Sequence, residues 1–239
     1  MKSRTRIKIC GNTNLGDLNH TVSCGVDAAG FITNVPVKSP RKIDATVAKQ
    51  LIGQVPVFVD SVLVIMPEDL DSAMALIAET SPTCVQIHND LPNSELAIIS
   101  KTVKLIKTIV IPKDASFEII DPLIARIEGL IGIADAILLD TGIGSKSGGT
   151  GTVHNWQISA EIVRRCKLPV ILAGGLTPDN VADAIRQVHP YAVDTASGVE
   201  TGKSRNPELV RLFIEQCMWA DTLSGVAETE VAETGVDDD

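Results

Sequence analysis

Several polar residues stand just after apolar runs of the sequence, where an acid, a base or an anion ligand could act. These residues are Cys10, Arg41, His88, Asp140 and Asp194. A thiol and a carboxyl group work as base and acid at one pH only if their surroundings move their pKa values apart. The set has neither metal-ligand spacing nor a Ser-His-Asp order. We therefore predict acid-base chemistry without a metal.

Cys10 and Asp140 form the candidate base and acid pair. Cys10 is followed at once by the polar turn 11–14, which would direct its sulfur toward a site. A buried cysteine is otherwise often an inert small apolar residue. Asp140 ends the apolar run 136–139, and a carboxyl group at such an edge can keep its proton because burial raises its pKa. The same carboxylate could simply cap a loop, and spacing alone does not name a reaction.

Two glycine-rich turns predict a phosphate site. Gly174 and Gly175 end one apolar run, and Ser197 and Gly198 follow the next. Glycine lets backbone N–H groups approach an anion closely, and a helix N-terminus adds partial positive charge. The alternative is that both segments are only tight turns between a strand and a helix.

Eight strand candidates alternate with eight helix candidates along the chain. The strands are predicted at 6–10, 28–32, 57–59, 83–87, 105–111, 136–139, 169–173 and 191–195. The helices are predicted at 15–24, 44–53, 68–79, 92–101, 115–131, 155–166, 178–188 and 206–219. Most strands are continuous apolar runs, which is typical of strands buried on both faces. About 27 residues per unit fits a single (β/α)₈ TIM barrel, an α/β fold whose active site lies at the carboxyl ends of the strands.

An open, doubly wound sheet is the alternative fold, but the segment after the first strand does not fit the glycine pattern of a dinucleotide turn. In a barrel, the two glycine turns follow strands seven and eight, where phosphate sites recur. The catalytic barrel is predicted to span residues 1–219. Residues 220–239 are predicted to be a disordered acidic tail, because seven acids and no Lys or Arg lie within 221–239.

The composition excludes several classes of protein. The chain has 239 residues and a net charge of −9, without a basic cluster, which argues against a nucleic-acid partner. Its five scattered cysteines form no CxxC pair, which favours a reducing compartment over a disulfide framework. No apolar run is long enough to span a membrane. We expect a cytoplasmic protein without a membrane partner.

The motifs together resemble the phosphoribosylanthranilate isomerase family, in order from about residue 6 to 216. The matching segments are KICGNTN (8–14), GVDAAGFI (25–32), SPRKI (39–43), PVFVD (56–60), CVQIH (84–88), ILLDT (137–141), GGTG with Trp156 (148–156), PVILAGGLTPDNV (169–181) and AVDTASGVET (192–201). The resemblance implies a cofactor-free Amadori rearrangement of N-(5-phosphoribosyl)anthranilate in tryptophan biosynthesis. The product would be 1-(2-carboxyphenylamino)-1-deoxyribulose 5-phosphate.

The resemblance also implies a role for each candidate residue. Asp140 would be the general acid that protonates the ring oxygen, and Cys10 the general base that removes the C2 proton. Arg41 is expected to bind the anthranilate carboxylate, and Asp194 is expected to lie near the amine and ribose. The residues expected at the phosphate are Gly174, Gly175, Ser197 and Gly198. His88 would either touch substrate or be structural.

The chain departs from the family pattern at Pro56, Asn89, Ala196 and the pair His154-Asn155. Ala196 removes a hydroxyl beside the expected phosphate. Two alternative functions stay open: a paralogous isomerase acting on another phosphosugar, and an inactive phosphate-binding barrel. The oligomeric state is expected to be a monomer or a homodimer.

Overall fold

A closed barrel of eight parallel strands forms the centre of the protein. This computed structural model describes residues 4–143, 146–147, 153–202 and 204–233. The barrel strands are β1 (Arg6–Ile9), β2 (Ala28–Ile32), β3 (Asp60–Ile65), β4 (Cys84–Ile87), β5 (Lys104–Pro112), β6 (Ala136–Ile143), β7 (Val170–Leu172) and β8 (Ala192–Thr195). Each strand pairs with the next one in the chain, and β8 closes the ring by pairing with β1. The predicted (β/α)₈ fold is confirmed.

The outer layer consists of helices that follow the strands. They are α1 (Leu15–Ser23), α2 (Ala45–Ile52), α3 (Leu70–Thr80), α4 (Asn93–Ile99), α5 (Ile120–Glu128), α6 (Trp156–Arg165), α7 (Val181–Val188) and α8 (Pro207–Glu233). Local capping fixes several starts. The side chain of Asn14 accepts a hydrogen bond from the Asp17 amide, and that of Asn206 accepts one from the Glu208 amide at 2.9 Å. The predicted start of the last helix is confirmed.

Alternate residues of each strand face two different apolar layers. Val62 and Val64 of β3 pack with Leu138 of β6 in a cluster that also contains Cys10. Leu63, between the two valines, belongs instead to the large cluster that includes the helices. Successive side chains of a strand point to opposite faces, so a strand buried on both faces needs apolar residues throughout. This explains the continuous apolar runs in the sequence.

The third strand lies later in the sequence than predicted. The run 57–59 was expected to form it, but β3 spans Asp60–Ile65. Phe58 is fully exposed, and its φ of 71° is incompatible with a strand. The run that follows is longer and buried from Ser61 onward, so it supplies the two apolar faces that a barrel strand needs. Pro56, one of the departures from the family pattern, therefore lies before the strand and outside the barrel sheet.

The carboxyl-terminal helix also runs past the predicted domain boundary. Ala220 is fully buried in the cluster beneath α8. Asp221 accepts hydrogen bonds from the backbone N–H and the hydroxyl of Thr5, both at 2.8 Å. Residues 220 and 221 are thus part of the packed helix, while the domain boundary after residue 219 stays a prediction. Residues 234–239 lie outside the described part of the chain, and a separate acidic tail stays a prediction.

No helix in the described part of the chain is both long enough and apolar enough to cross a membrane.

The Asp221 contact gives a stability prediction. Asp221→Ala removes both bonds to Thr5, and we expect the free energy of unfolding to fall by about 1–3 kcal/mol, the usual contribution of hydrogen bonds to a charged group. Glu215→Ala is the control, since Glu215 is half exposed and pairs with Arg211 on the surface of the same helix. Its effect on denaturant unfolding should stay within about 1 kcal/mol. Equal losses in the two variants would show that the Thr5 contact stabilises nothing.

Candidate active site

A cavity of about 520 Å³ opens at the carboxyl ends of the barrel strands. It brings together nearly all of the residues predicted from the sequence. Those lining it are Cys10, Arg41, His88, Asp140, Gly174, Gly175, Asp194 and Ser197. Gly198 is not among the lining residues, although it shares the short 3₁₀ turn Ser197–Val199 with Ser197. The barrel thus collects into one cavity side chains that are far apart in the sequence.

Cys10 lies one residue beyond the end of β1. Its backbone N–H donates to the Thr195 carbonyl at 2.8 Å, which continues the pairing of β1 with β8. Gly30 makes room for its side chain, because a Cβ at residue 30 would lie 2.8 Å from the sulfur. Burial raises the pKa of the Cys10 thiol, while the nearby charges of Lys8 and Arg205 act in the opposite direction.

A buried ion pair lies beside Cys10. The Lys8 Nζ is 2.9 Å from Oδ2 of Asp194, and both side chains are less than a tenth exposed. Burial raises the pKa of Asp194, opposed by the positive charge of Lys8. Asp194 was predicted from the sequence, whereas Lys8 was not. The available signal was a lysine inside the apolar run of β1, a position where an unpaired charge would be costly.

Asp140 lies within β6 rather than after it, because that strand continues to Ile143. Its Oδ1 accepts a hydrogen bond from the Thr141 amide at 2.8 Å. Its Oδ2 lies 3.3 Å from Nε2 of His88, which follows β4. The structure thus places His88 within hydrogen-bond distance of the candidate acid, Asp140. Most of the glycine-rich loop expected after Asp140, residues 144–145 and 148–152, lies outside the described residues.

Arg41 is held by a carboxylate of the protein itself. Its Nε and Nη2 each donate to one oxygen of Glu200 at 2.7 Å, in a bidentate pair that is largely buried. A guanidinium has five N–H groups, and this pair uses only the Nε–Nη2 edge. Glu200, which was not predicted as a partner, therefore orients Arg41, and the Nη1 edge lies outside this pair.

Two further side chains were missed. Arg205 is largely buried, and its Nη2 donates to the Cys10 carbonyl at 2.6 Å. Gln86 of β4 lines the cavity, and its Nε2 donates to the Thr108 hydroxyl at 3.1 Å. Gln86 is a polar residue inside the predicted strand 83–87, and that position was the signal that could have identified it. Arg205 lies between the last predicted strand and the last predicted helix, where the sequence pattern carries no such signal.

The cavity residues carry three buried polar atoms without a hydrogen-bond partner in the described structure: Oε1 of Gln86, Nδ1 of His88 and Oδ1 of Asp194. Buried polar groups are normally satisfied, and leaving one unpaired costs about 1–3 kcal/mol. A ligand with several hydroxyl groups could supply donors and acceptors to these atoms. The cavity is therefore suited to a sugar.

The first glycine turn touches the strand that carries Asp140. Gly174 and Gly175 both have positive φ angles, of 87° and 69°. A Cβ at Gly174 would lie 2.2 Å from the hydroxyl oxygen and 2.6 Å from the amide nitrogen of Thr141. Only glycine allows this approach, which holds the turn after β7 against the end of β6.

A buried histidine also supports this end of β6. Nδ1 of His154 lies 2.8 Å from the Thr141 hydroxyl, and Nε2 lies 2.6 Å from the Ser159 hydroxyl. Burial lowers the pKa of His154 to about 4, so the ring is neutral near pH 7. His154, noted in the sequence only as a departure from the family pattern, thus ties Thr141 to α6.

A (β/α)₈ barrel with a thiol, two carboxylates and glycine turns around one polar cavity defines a barrel enzyme equipped for acid-base chemistry. No group of three or more His, Cys, Asp or Glu side chains in the described ranges is placed to hold a metal ion. Chemistry without a metal or cofactor stays a prediction.

Comparisons with known proteins give the family. Residues 7–216 match the family described as N-(5'-phosphoribosyl)anthranilate isomerase. A relative of that name from Methanosarcina acetivorans is 47% identical over 227 residues, which cover 91% of this chain and 95% of the relative. The chain therefore belongs to the N-(5'-phosphoribosyl)anthranilate isomerase family.

Solved structures of the same family share the fold. One, described as monomers of the dimeric enzyme from Thermotoga maritima, has a TM-score of 0.76 at 27% identity and covers 90% of this chain and 99% of its own. Another holds reduced 1-(o-carboxyphenylamino)-1-deoxyribulose 5-phosphate and has a TM-score of 0.74 at 28% identity, with the same coverage.

The contact of Gly174 with Thr141 can be tested by Gly174→Ala. We expect the free energy of unfolding to fall by about 1–3 kcal/mol more than in Gly25→Ala, because a Cβ at Gly174 meets backbone and side-chain atoms. Gly25 is a matched control: its φ is 89°, and a Cβ there would meet nothing within 4 Å. Both variants carry the same backbone strain, so denaturant unfolding isolates the clash. Equal losses would exclude a tight approach at Gly174.

The neutral state of His154 predicts a pH-dependent stability. The unfolded chain protonates this ring near pH 6.5, while the folded protein protonates it near pH 4. The contribution of His154 is therefore fully present above pH 6.5 and falls by up to about 3 kcal/mol as the pH approaches 4. The free energy of unfolding is measured against pH for wild type and His154→Gln, with His20→Gln as an exposed control. The advantage of wild type over His154→Gln should shrink over this window. A constant advantage would mean that the ring is not buried in its neutral form.

Proposed function

We propose that this chain catalyses the Amadori rearrangement of N-(5-phosphoribosyl)anthranilate to 1-(2-carboxyphenylamino)-1-deoxyribulose 5-phosphate, a step of tryptophan biosynthesis. The observation that carries the proposal is the shared cavity of Cys10 and Asp140. Cys10 follows β1 and Asp140 lies in β6, and β7 and β8 stand between these two strands. They therefore approach a bound sugar from different sides, as a base and an acid must.

Asp140 is the proposed general acid. Its Oδ1 accepts a hydrogen bond from the Thr141 amide, so the proton belongs on Oδ2, whose remaining lone pair accepts a hydrogen bond from the Nε2–H of His88. From Oδ2 the proton passes to the ring oxygen of the ribose, the furanose opens, and a Schiff base forms between C1 and the anthranilate nitrogen. His88 holds the acid in place, and its free Nδ1 can accept a hydrogen bond from a ribose hydroxyl.

Cys10 is the proposed general base. Its thiolate removes the proton from C2 of the Schiff base, which gives an enolamine that tautomerises to the ketone. Burial disfavours the thiolate, so the positive charges near Cys10 must offset that cost. A positioned proton transfer of this kind contributes about 10²–10⁴-fold to a rate.

The remaining predicted residues bind the substrate. Arg41, oriented by Glu200, binds the anthranilate carboxylate, since a guanidinium edge matches a planar anion. Oδ1 of Asp194 accepts a hydrogen bond from the amine or the ribose. The phosphate is bound by the two glycine turns, through Gly174, Gly175, Ser197 and Gly198. Ala196 offers no hydroxyl there, so backbone N–H groups carry this contact.

The setting of the enzyme is part of the proposal. We infer a cytoplasmic enzyme with a small phosphosugar substrate, no nucleic-acid partner, and no part in turnover for the acidic carboxyl-terminal residues.

Two apolar side chains before β3, Phe58 and Val57, are 100% and 81% exposed. Apolar surface of this kind is typical of contacts between proteins. Light scattering after size-exclusion chromatography distinguishes the monomer from the homodimer.

The acid and base assignments predict matched losses of turnover. Cys10→Ser and Asp140→Asn should each lower kcat by about 10²–10⁴-fold, because each removes one proton transfer. The controls are Cys84→Ser, a buried thiol that begins β4, and Asp135→Asn, which precedes β6. Both should keep turnover near that of wild type. Full activity of either site variant would remove that residue from the mechanism.

The same assay separates the alternatives. A purified protein that ignores phosphoribosylanthranilate but converts a carboxylate-free phosphosugar analogue is a paralogous isomerase. A protein that binds the reduced product without converting any substrate is an inactive phosphate-binding barrel. Turnover of phosphoribosylanthranilate, weakened chiefly in KM by Arg41→Gln, supports the proposed function.

A further inference from the structure

Lys8 lies in an unusual place for a charged residue. It belongs to β1 two positions before Cys10, so both side chains emerge on the same, inward face of the strand. Its side chain is 4% exposed, and it does not line the cavity. Lys8 and Asp194 are also directly paired in the parallel register of β1 and β8. The ammonium group thus lies inside the barrel, below the floor of the cavity.

Folding alone does not require a charge at this position. Removing two ions from water is costly, and replacing a buried ion pair by apolar side chains is often neutral or stabilising. The surrounding interior cluster is formed by apolar residues such as Val62, Leu138 and Ile171, which another apolar side chain would match. Lys8 does not line the cavity, so we expect its charge to act on a neighbouring group.

The neighbour that needs a positive charge is Cys10. Burial raises the pKa of its thiol, and Asp194 on β8 acts in the same direction. Lys8, which shares the inward face of β1 with Cys10, is the strongest influence in the other direction through its positive charge, and Arg205 assists. Among the described residues, the other ionisable groups that line the cavity are Asp140 on β6, His88 after β4, Lys38, and Arg41, which is paired with Glu200. Cys84 lies deeper, on β4.

We propose that Lys8 is a positioning residue for the base: its buried ammonium, held by Asp194, stabilises the Cys10 thiolate from below and fixes Asp194 toward the sugar. The effect on turnover rests on the proposed function. The effect on the thiolate does not, because it requires no substrate.

The test is the rate at which iodoacetamide alkylates Cys10 in the full chain without substrate, followed against pH by mass spectrometry. Lys8→Met should raise the pH midpoint of alkylation by at least about one unit, which lowers the rate near pH 8 by about 10-fold. Lys8→Arg keeps the charge and should retain most of the wild-type rate. Lys107→Met is the matched control, since Lys107 is an equally buried lysine on β5 that pairs with Asp90. It should leave the midpoint unchanged.

A second variant decides the case in which Lys8→Met does not fold. Lys8→Gln combined with Asp194→Asn replaces the ion pair by an uncharged pair and leaves no lone buried charge. Because Lys8 acts on the thiol more strongly than Asp194 does, the midpoint should still lie above that of wild type. A wild-type or lower midpoint in whichever of these variants folds would overturn the proposal.

The pH profile of kcat/KM separates this inference from the proposed function. If both hold, the ascending limb moves to higher pH in Lys8→Met and returns in Lys8→Arg. A shifted alkylation midpoint in a chain that does not convert phosphoribosylanthranilate refutes the function and keeps the inference. Normal turnover with an unshifted midpoint refutes the inference and keeps the function.

Discussion

The ion pair of Lys8 and Asp194 joins the first strand of the barrel to the last at the level just below the cavity. The two residues are register partners, so the hydrogen bonds that close the barrel also place ammonium against carboxylate. A slip of β1 by one residue would turn Lys8 to the outer face and leave both charges unpaired. Closure of the barrel and the electrostatics of the cavity therefore depend on the same alignment.

Burial creates the central difficulty of this site. The cavity is enclosed enough to raise the pKa of both Cys10 and Asp194, so ionised groups persist there only where an opposite charge is close. Lys8 supplies that charge from inside the barrel, and Arg205 supplies it from the loop side, where it also binds the Cys10 carbonyl. Polar atoms without protein partners remain on the cavity side. The charges of the site are thus balanced by groups of the protein, and the polar atoms that face the cavity are left to bind a ligand.

Much of this arrangement could be predicted from the sequence. The alternation of apolar runs with helix patterns predicts the barrel, and a barrel fixes where the strand ends meet, so residues as distant as Cys10 and Asp194 could be placed together. The third strand was misplaced because the apolar run 57–59 lies next to the apolar run within β3, and only the burial of their side chains distinguishes the two. The predicted end of the barrel after residue 219 rests on the loss of basic residues, a signal that does not show packing: Ala220 is buried, and Asp221 accepts hydrogen bonds from Thr5.

Pairings between distant residues could not be predicted from the sequence, because they depend on register and on side-chain directions that no local pattern contains. Lys8, Glu200 and Gln86 belong to this class: each looks like a stray polar residue until its partner is known. The same holds for Gly30, whose missing side chain matters only because the Cys10 sulfur packs against it.

The most direct measurement is a crystal structure of this chain with reduced 1-(o-carboxyphenylamino)-1-deoxyribulose 5-phosphate, the compound held by its structural relative. The account predicts the Cys10 sulfur beside C2 of the sugar, with a carboxylate oxygen of Asp140 within about 3.2 Å of the oxygen that closes the ring in the substrate. The phosphate should lie at the two glycine turns. A sugar bound with C2 directed away from Cys10, or with its ring oxygen out of reach of Asp140, would contradict the account.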